Sequence, residues 1–243
     1  MSGCDGKSVV ADAQFLVTGY TVRYMLSIQK GNILSFVVVG ACVVGIVLLV
    51  AFGHGNDSNA EQLLLGVPVR ESDHILGTTT APVIIVEYAD FECPTCAAFS
   101  PLLNQLQSDE QGKVAIVYRY FPLPQHRNAV NAAKAAEAAG LQGKFWEMHD
   151  ILFKNQTAWE NIVEPKAFFG EYAKVLGIDT VQFATDYDSN AVANRVAEDA
   201  ADAKRNRLTY APTLFVGGVR IPNPQTYNEL KQAVEKAGGI TLQ

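Results

Sequence analysis

Apolar positions fall along this chain in two regimes. From Ile33 to Phe52 (ILSFVVVGACVVGIVLLVAF) they run without a charge, for about 20 residues or about 30 Å of helix, the thickness of one hydrocarbon core. After Asp73 they become periodic. Val83 to Tyr88 (VIIVEY) is a short β-branched run, the pattern of a strand buried on both faces. Pro94 stands where a first helical residue fits, and Ala97, Ala98, Phe99, Leu102, Leu103 and Leu106 follow at helical spacing. Lys113 to Phe121 predicts a second strand, after which Ala129 to Gly140 predicts a helix stopped by glycine. Further helices are expected over Lys144–Phe153, Pro165–Leu176, Val181–Tyr187 and Ala191–Arg207. Thr213–Val216 and Val219–Ile221 read as strands joined by a tight Gly217-Gly218 turn, and Tyr227–Ala237 as a closing helix.

The order is therefore β-α-β, a helical block, then β-β-α. Neither half is large enough to bury a sheet alone. They make sense as one α/β domain with a shared sheet and an inserted helical block at about 125–208. The organisation expected for the chain is an N-terminal segment (1–32), a transmembrane helix (33–52), a linker (53–73) and the globular domain (74–243). Within the linker, Leu63-Leu64-Leu65 marks where a short strand or a packing arm starts.

Arg23 and Lys30 precede the apolar span, while Asp57 and Glu61 follow it. The positive-inside rule then puts the N-terminus in the cytoplasm and the domain outside. A cleavable signal peptide competes with this reading, with Ala51 and Gly53 as its small residues. The span exceeds the usual apolar region of about 7–15 residues, which favours an uncleaved anchor. Met25 to Lys30 would make an ordinary start before such an anchor, so translation from Met25 is an alternative to Met1. The net charge of −6 gives no electrostatic case for nucleic acid.

Of the four cysteines, Cys4 lacks the preceding apolar run of a lipoprotein site, and Cys42 reads as a small apolar residue inside the span. Cys93 and Cys96 fall in the first turn of the helix that leaves the Val83–Tyr88 strand. First-turn N–H groups have no intrahelical partners and carry the positive end of the helix dipole. A thiolate at Cys93 is favoured there, and its pKa should drop from about 8.5 into the range of roughly 3.5–7.5. Residues three apart share a helix face, so both sulfurs can enter one disulfide. Pro94 removes a backbone donor between them and Thr95 adds no charge. A structural disulfide and half of a zinc site are the other readings. Zinc normally needs a second Cys or His pair at short spacing, and His54, His74, His126 and His149 are scattered singly. A CxxC beside a βαβ pattern favours the redox reading.

The stretches EYADFECPTCAAF, RYFPLPQHRNAVNAAKAAEAA, QGKFWEMHDILFKNQ and APTLFVGG together resemble the DsbA-like thiol:disulfide oxidoreductases, over about Ile75 to Gly239. These are thioredoxin-fold proteins with a helical insertion. The resemblance implies that Cys93 is the exposed nucleophile and Cys96 the buried resolving cysteine. Pro212 matches the family's cis-proline, which sits beside the disulfide and offers backbone to an extended substrate, with Ala211, Pro94 and Thr95 around it. Glu87 matches a buried carboxylate that takes the proton of Cys96; the competing reading is a strand-end acid paired with a lysine. Asp90 fits a subgroup pattern or is a solvated loop acid. His126-Arg127 reads as packing at a helix entrance, with Asn128 as that helix's cap. Ala211 stands where many relatives carry Thr or Val, which bears on the redox poise.

The expected function is a membrane-anchored, extracytoplasmic enzyme that introduces disulfides into reduced or misoxidised exported proteins. By resemblance it is reoxidised by a quinone-linked membrane protein of DsbB or VKOR type. No cofactor is expected, since there is no glycine-rich phosphate loop. A reductase or isomerase running the same pair in reverse is the first alternative. An anchored chaperone-like binding module with the cysteines as a staple is the second.

Overall fold

The computed structural model describes two strands near the N-terminus and then residues 64–242. The apolar segment 33–52, Cys4, Cys42 and the first part of the expected linker lie outside the described residues. Among those described, no helix is long and apolar enough to cross a membrane. The chain divides into two units, residues 1–60 and 61–243. In the first, β1 (Val10–Val17) and β2 (Tyr20–Ser27) pair antiparallel from Val10↔Ser27 to Val17↔Tyr20. Both strands are rich in Val, Thr, Tyr and Phe, residues that suit a pleated surface. The sequence reading assigned no element here.

The second unit is built on a five-stranded sheet of order β3-β5-β4-β6-β7. Its strands are β3 (His74–Leu76), β4 (Val83–Ala89), β5 (Val114–Tyr120), β6 (Thr213–Val216) and β7 (Val219–Ile221). β4 and β5 run parallel, as a strand-helix-strand crossover through α1 (Pro94–Asp109) requires. The pairs β3–β5, β4–β6 and β6–β7 are antiparallel. Gly217 and Gly218 both take positive φ, 55° and 83°, in the two-residue turn from β6 to β7. No expected element covers β3. It is only three residues long and is held by pairing with distant β5.

Alternate residues of the central strands serve different layers. Val83 and Ile85 of β4, Val114 and Ile116 of β5, and Leu214 and Val216 of β6 pack with Leu103 and Leu106 of α1 and with α8 (Tyr227–Gly238). Val86 and Tyr88 point the other way, toward Phe215, Ala203 and Leu208. Glu87 is therefore on the face that α1 covers, in register between Tyr118 and Leu214.

The inserted block holds α2 (Ala129–Gly140), α3 (Phe145–Lys154), α4 (Gln156–Trp159), α5 (Pro165–Val175), α6 (Thr180–Tyr187) and α7 (Asn190–Arg205). α2 is lined with buried alanines, so its neighbours approach closely around it. α4 is a single turn that the sequence pattern did not reveal. It carries Trp159, fully buried, whose indole N–H donates to the Leu152 carbonyl at 2.9 Å.

The expected linker is partly domain. Leu64 bridges to Val219 at the sheet edge, and the Leu65 N–H donates to the Gly218 carbonyl at 2.8 Å. Further on, Arg119 of β5 is fully buried and donates to the carbonyls of Val67 and Pro68, to the Tyr88 hydroxyl and to Asp73. Asp73 also faces Arg70 and Arg195. Buried ionic contacts thus pin residues 67–73 against β5 and α7.

Candidate active site

Cys93 is the N-cap of α1, with φ −77° and ψ 120°, and Pro94 begins the helix. A proline there loses only an N–H that the helix would leave unpaired. Cys93 and Cys96 are free thiols in this structure. Cys93 is buried rather than exposed as expected, with 7% of the residue open to solvent against none of Cys96, while Pro94 and Thr95 are exposed between them. One sulfur can meet a partner; the other is reached only through the first.

The two sulfurs are held in opposite protonation states. The Cys93 pKa falls to about 6, led by hydrogen bonding from the Cys96 thiol, with the N–H groups of Cys96 and Thr95 adding to it against burial. No N–H makes a formal capping bond to the sulfur, so the helix start acts on it mainly as oriented dipoles. Burial pushes the Cys96 thiol up, and hydrogen bonding to Cys93 and the nearby Glu87 push the same way.

Glu87 is 1% exposed on the face under α1. Burial, and then the charge of Cys93, push its pKa up to about 8. Its Oε1 has no hydrogen-bond partner among the described residues, nor does the hydroxyl of Tyr118 beside it in the sheet. Among those residues no lysine or arginine pairs with it, so the lysine-paired reading of Glu87 does not hold. It is a carboxylic acid kept neutral at pH 7, close enough to both sulfurs for their charges to act on one another.

The Ala211–Pro212 peptide is cis. It lies against the nucleophile, since the Cys93 thiol points at the Ala211 carbonyl at 3.5 Å. Ala211 is half-buried and Pro212 buried, with exposed Tyr210 next to them. A small groove of about 80 Å³ runs from Thr95 and Ala98 of α1 to Pro212 and Asn223. The structure thus brings together every residue the sequence singled out at this site: Cys93, Cys96, Glu87, Pro94, Thr95, Ala211 and Pro212.

Three other expectations change. Asp90 is not a solvated loop acid; it is 2% exposed, and its carboxylate accepts from the N–H groups of Glu92 and Leu123, both at 2.8 Å. His126 is not simple packing, because its Nδ1 pairs with Asp90 at 2.7 Å. Asn128 does not cap α2 with its side chain. Its Nδ2 donates instead to the carbonyls of Trp159, Glu160 and Ile162, which end the α4 turn and need partners. Sequence reasoning passed over Glu92, which accepts from the N–H groups of Arg127 and Asn128. It also passed over Gln156, which donates to the Phe91 carbonyl at 2.6 Å.

A dithiol at the opening of a helix, faced by a cis-proline and underlain by a buried acid, defines a thioredoxin-fold exchange site. The Thioredoxin family model matches residues 70–236. The chain belongs to the thioredoxin family, and its fold is DsbA-like.

Among solved structures, oxidised BdbD from Bacillus subtilis is 27% identical, with a TM-score of 0.64 over 72% of this chain and 98% of that one. The α-DsbA1 of Wolbachia pipientis, 18% identical with a TM-score of 0.63 over 72% of this chain and 94% of that one, shares the fold. Among curated relatives, the Na(+)/H(+) antiporter NhaA 1 of Mycolicibacterium vanbaalenii is 39% identical over 170 residues, which is 68% of this chain and 26% of the antiporter. The chain spans about a quarter of the length of such relatives.

Proposed function

We propose that this protein is a membrane-anchored, extracytoplasmic oxidase that introduces disulfide bonds into exported proteins. The observation that carries the reading is the asymmetry of the pair: a sulfur at the helix start that favours the thiolate and a more deeply buried one that resists it. A substrate thiolate attacks the Cys93 sulfur of the enzyme disulfide. The Cys93–Cys96 bond breaks, the electron pair leaves on Cys96, and Glu87 supplies the proton. The substrate's second thiolate then attacks the substrate sulfur of the mixed disulfide, and Cys93 departs as a thiolate. Two electrons pass from the substrate dithiol to the enzyme, and Glu87 regains a proton from water, which took up those of the substrate thiols, as charge returns to Cys93. Residues 33–52 anchor the chain, and a quinone-linked membrane protein of DsbB or VKOR type removes the two electrons.

Leaving is faster from a less basic sulfur, and a stabilised reduced form makes a stronger oxidant. Against an ordinary thiol near pKa 8.5, a pKa of about 6 is worth roughly 1.4 kcal/mol at pH 7, about 30 mV for two electrons. About 150 mV separates thioredoxin from DsbA. The acidity of one sulfur therefore favours the oxidase direction without fixing it, and the surroundings of the disulfide supply the rest. Equilibrating the full chain with glutathione buffers tests this. The expected potential lies above about −230 mV; a value near −270 mV would indicate a reductase, and one below about −300 mV a structural staple.

A further inference from the structure

Two carboxylates that the exchange steps do not use flank Cys93, and both reach across to the chain between β5 and α2. Glu92 accepts from the N–H groups of Arg127 and Asn128. Asp90 Oδ2 accepts from the Leu123 N–H at 2.8 Å and pairs with His126 Nδ1 at 2.7 Å. Its Oδ1 turns back to the Glu92 N–H at 2.8 Å, and its carbonyl accepts the Cys93 N–H at 3.1 Å. The loop that presents Cys93 is thus clipped to the entrance of the helical block, with Asp90 three residues before the nucleophile and hydrogen-bonded to its N–H.

A buried anion there has the wrong sign for the chemistry. Negative charge beside a sulfur that must ionise disfavours the thiolate, most strongly where solvent is excluded. The Asp90 side chain is fully buried, while that of His126 is 18% exposed. The titratable groups facing Cys93 and Asp90 among the described residues include Glu87, Glu92, Cys96, Tyr118 and His126. Among the described residues Asp90 forms its ion pair with His126.

We propose that Asp90 and His126 form a potential-setting pair for Cys93, Asp90 restraining ionisation of the sulfur and His126 metering how much of that charge the sulfur feels. Both are positioning residues, because neither touches substrate. The proposal rests on Cys93 being the exchange nucleophile. It also gives the Asp90 carboxylate a reason to be buried at a cost: burial raises its own pKa despite three hydrogen-bond donors.

Variants of the full chain test it through the pH midpoint of Cys93 alkylation and the equilibrium with glutathione. Asp90→Asn is expected to lower the midpoint and favour the dithiol about threefold to tenfold, a rise of roughly 15–30 mV. His126→Asn is expected to act in the opposite direction by a similar factor. His126→Lys, a permanent cation at a partly exposed position, should act in the same direction as Asp90→Asn, so the idea stays testable if the buried substitution unfolds the protein. Because His126 works through Asp90, the double variant Asp90→Asn/His126→Asn should match Asp90→Asn alone. Shifts of the same sign from Asp90→Asn and His126→Asn, or an undiminished His126 effect in the Asp90→Asn background, would overturn the pair and leave the exchange reading intact. A wild-type midpoint near 8.5 would overturn both.

Discussion

Glu87→Gln is expected to slow formation of the Cys93 mixed disulfide, the step in which Cys96 leaves, by about 10²–10⁴, the usual span for a lost general acid–base group. It should also make folding less sensitive to pH. Cys96 is buried and resists ionising, so as it leaves it must take a proton from a neighbour. Glu87 is fully buried on the same face and carries no competing ion pair among the described residues. The folding effect has the opposite sign. A carboxylic acid at 4.5 unfolded and about 8 folded keeps its proton in the native state and loses it on unfolding. Its contribution to stability is therefore fullest below pH 4.5 and is lost as pH rises to about 8. At pH 7 the penalty is on the order of 3 kcal/mol. The buried amide brings its own, pH-independent cost of about 1–3 kcal/mol, so the informative quantity is the difference between variant and wild type across that window. Urea unfolding from pH 4 to 8 should show the variant gaining steadily. A difference that stays flat, or an unchanged rate of mixed-disulfide formation in stopped-flow quenching, contradicts the role given to Glu87.

Asp73→Ala is expected to cost about 3–5 kcal/mol, the range for breaking a buried ion pair from one side. Asp73 is fully buried as a side chain and accepts from Arg119 at 2.8 and 3.3 Å, from the Arg70 N–H at 2.8 Å and from Arg195 at 3.3 Å. Burial alone would raise its pKa; the hydrogen bonds from Arg119 and the Arg70 N–H overcome that and hold it below 3.8. Its contribution is present above pH 3.8 and fades as pH falls through that lowered value. Without it, Arg70, Arg119 and Arg195 face one another with less compensation. A chain begun at residue 74 should be destabilised for the same reason, whereas one begun at residue 61 keeps the contact. A loss under about 1 kcal/mol on urea unfolding would mean that residues 67–73 lie on the domain without supporting it.

The strands and helices of the second unit were legible wherever the signal was local. The β-branched run before Cys93, the proline at the helix start and the Gly217-Gly218 turn each carry their own conformational reason. Cys93 and Cys96 were legible for the same cause, since three-residue spacing at a helix start is local geometry. What escaped depends on distant partners. β3 exists because β5 pairs with it, and α4 because Trp159 finds a closed site. Arg119 looks like a surface residue in an alternating strand until Asp73 and two carbonyls are brought to it. Asp90 and His126 lie 36 positions apart, so no spacing rule connects them. Asn128 has the right residue type for a cap and is used for another task. Glu87 stood out only through resemblance; its isolation from any cation depends on which side chains the fold leaves out.

Everything proposed for the exchange reaction depends on the Cys93 sulfur being ionised at neutral pH. The direct test is the rate of iodoacetamide modification of Cys93 in the reduced full chain, followed from pH 4 to 10 in a Cys4→Ser/Cys42→Ser background so that one accessible thiol reports. The account predicts a single ionisation with its midpoint near 6. A midpoint near 8.5, the value of a free cysteine, would contradict it.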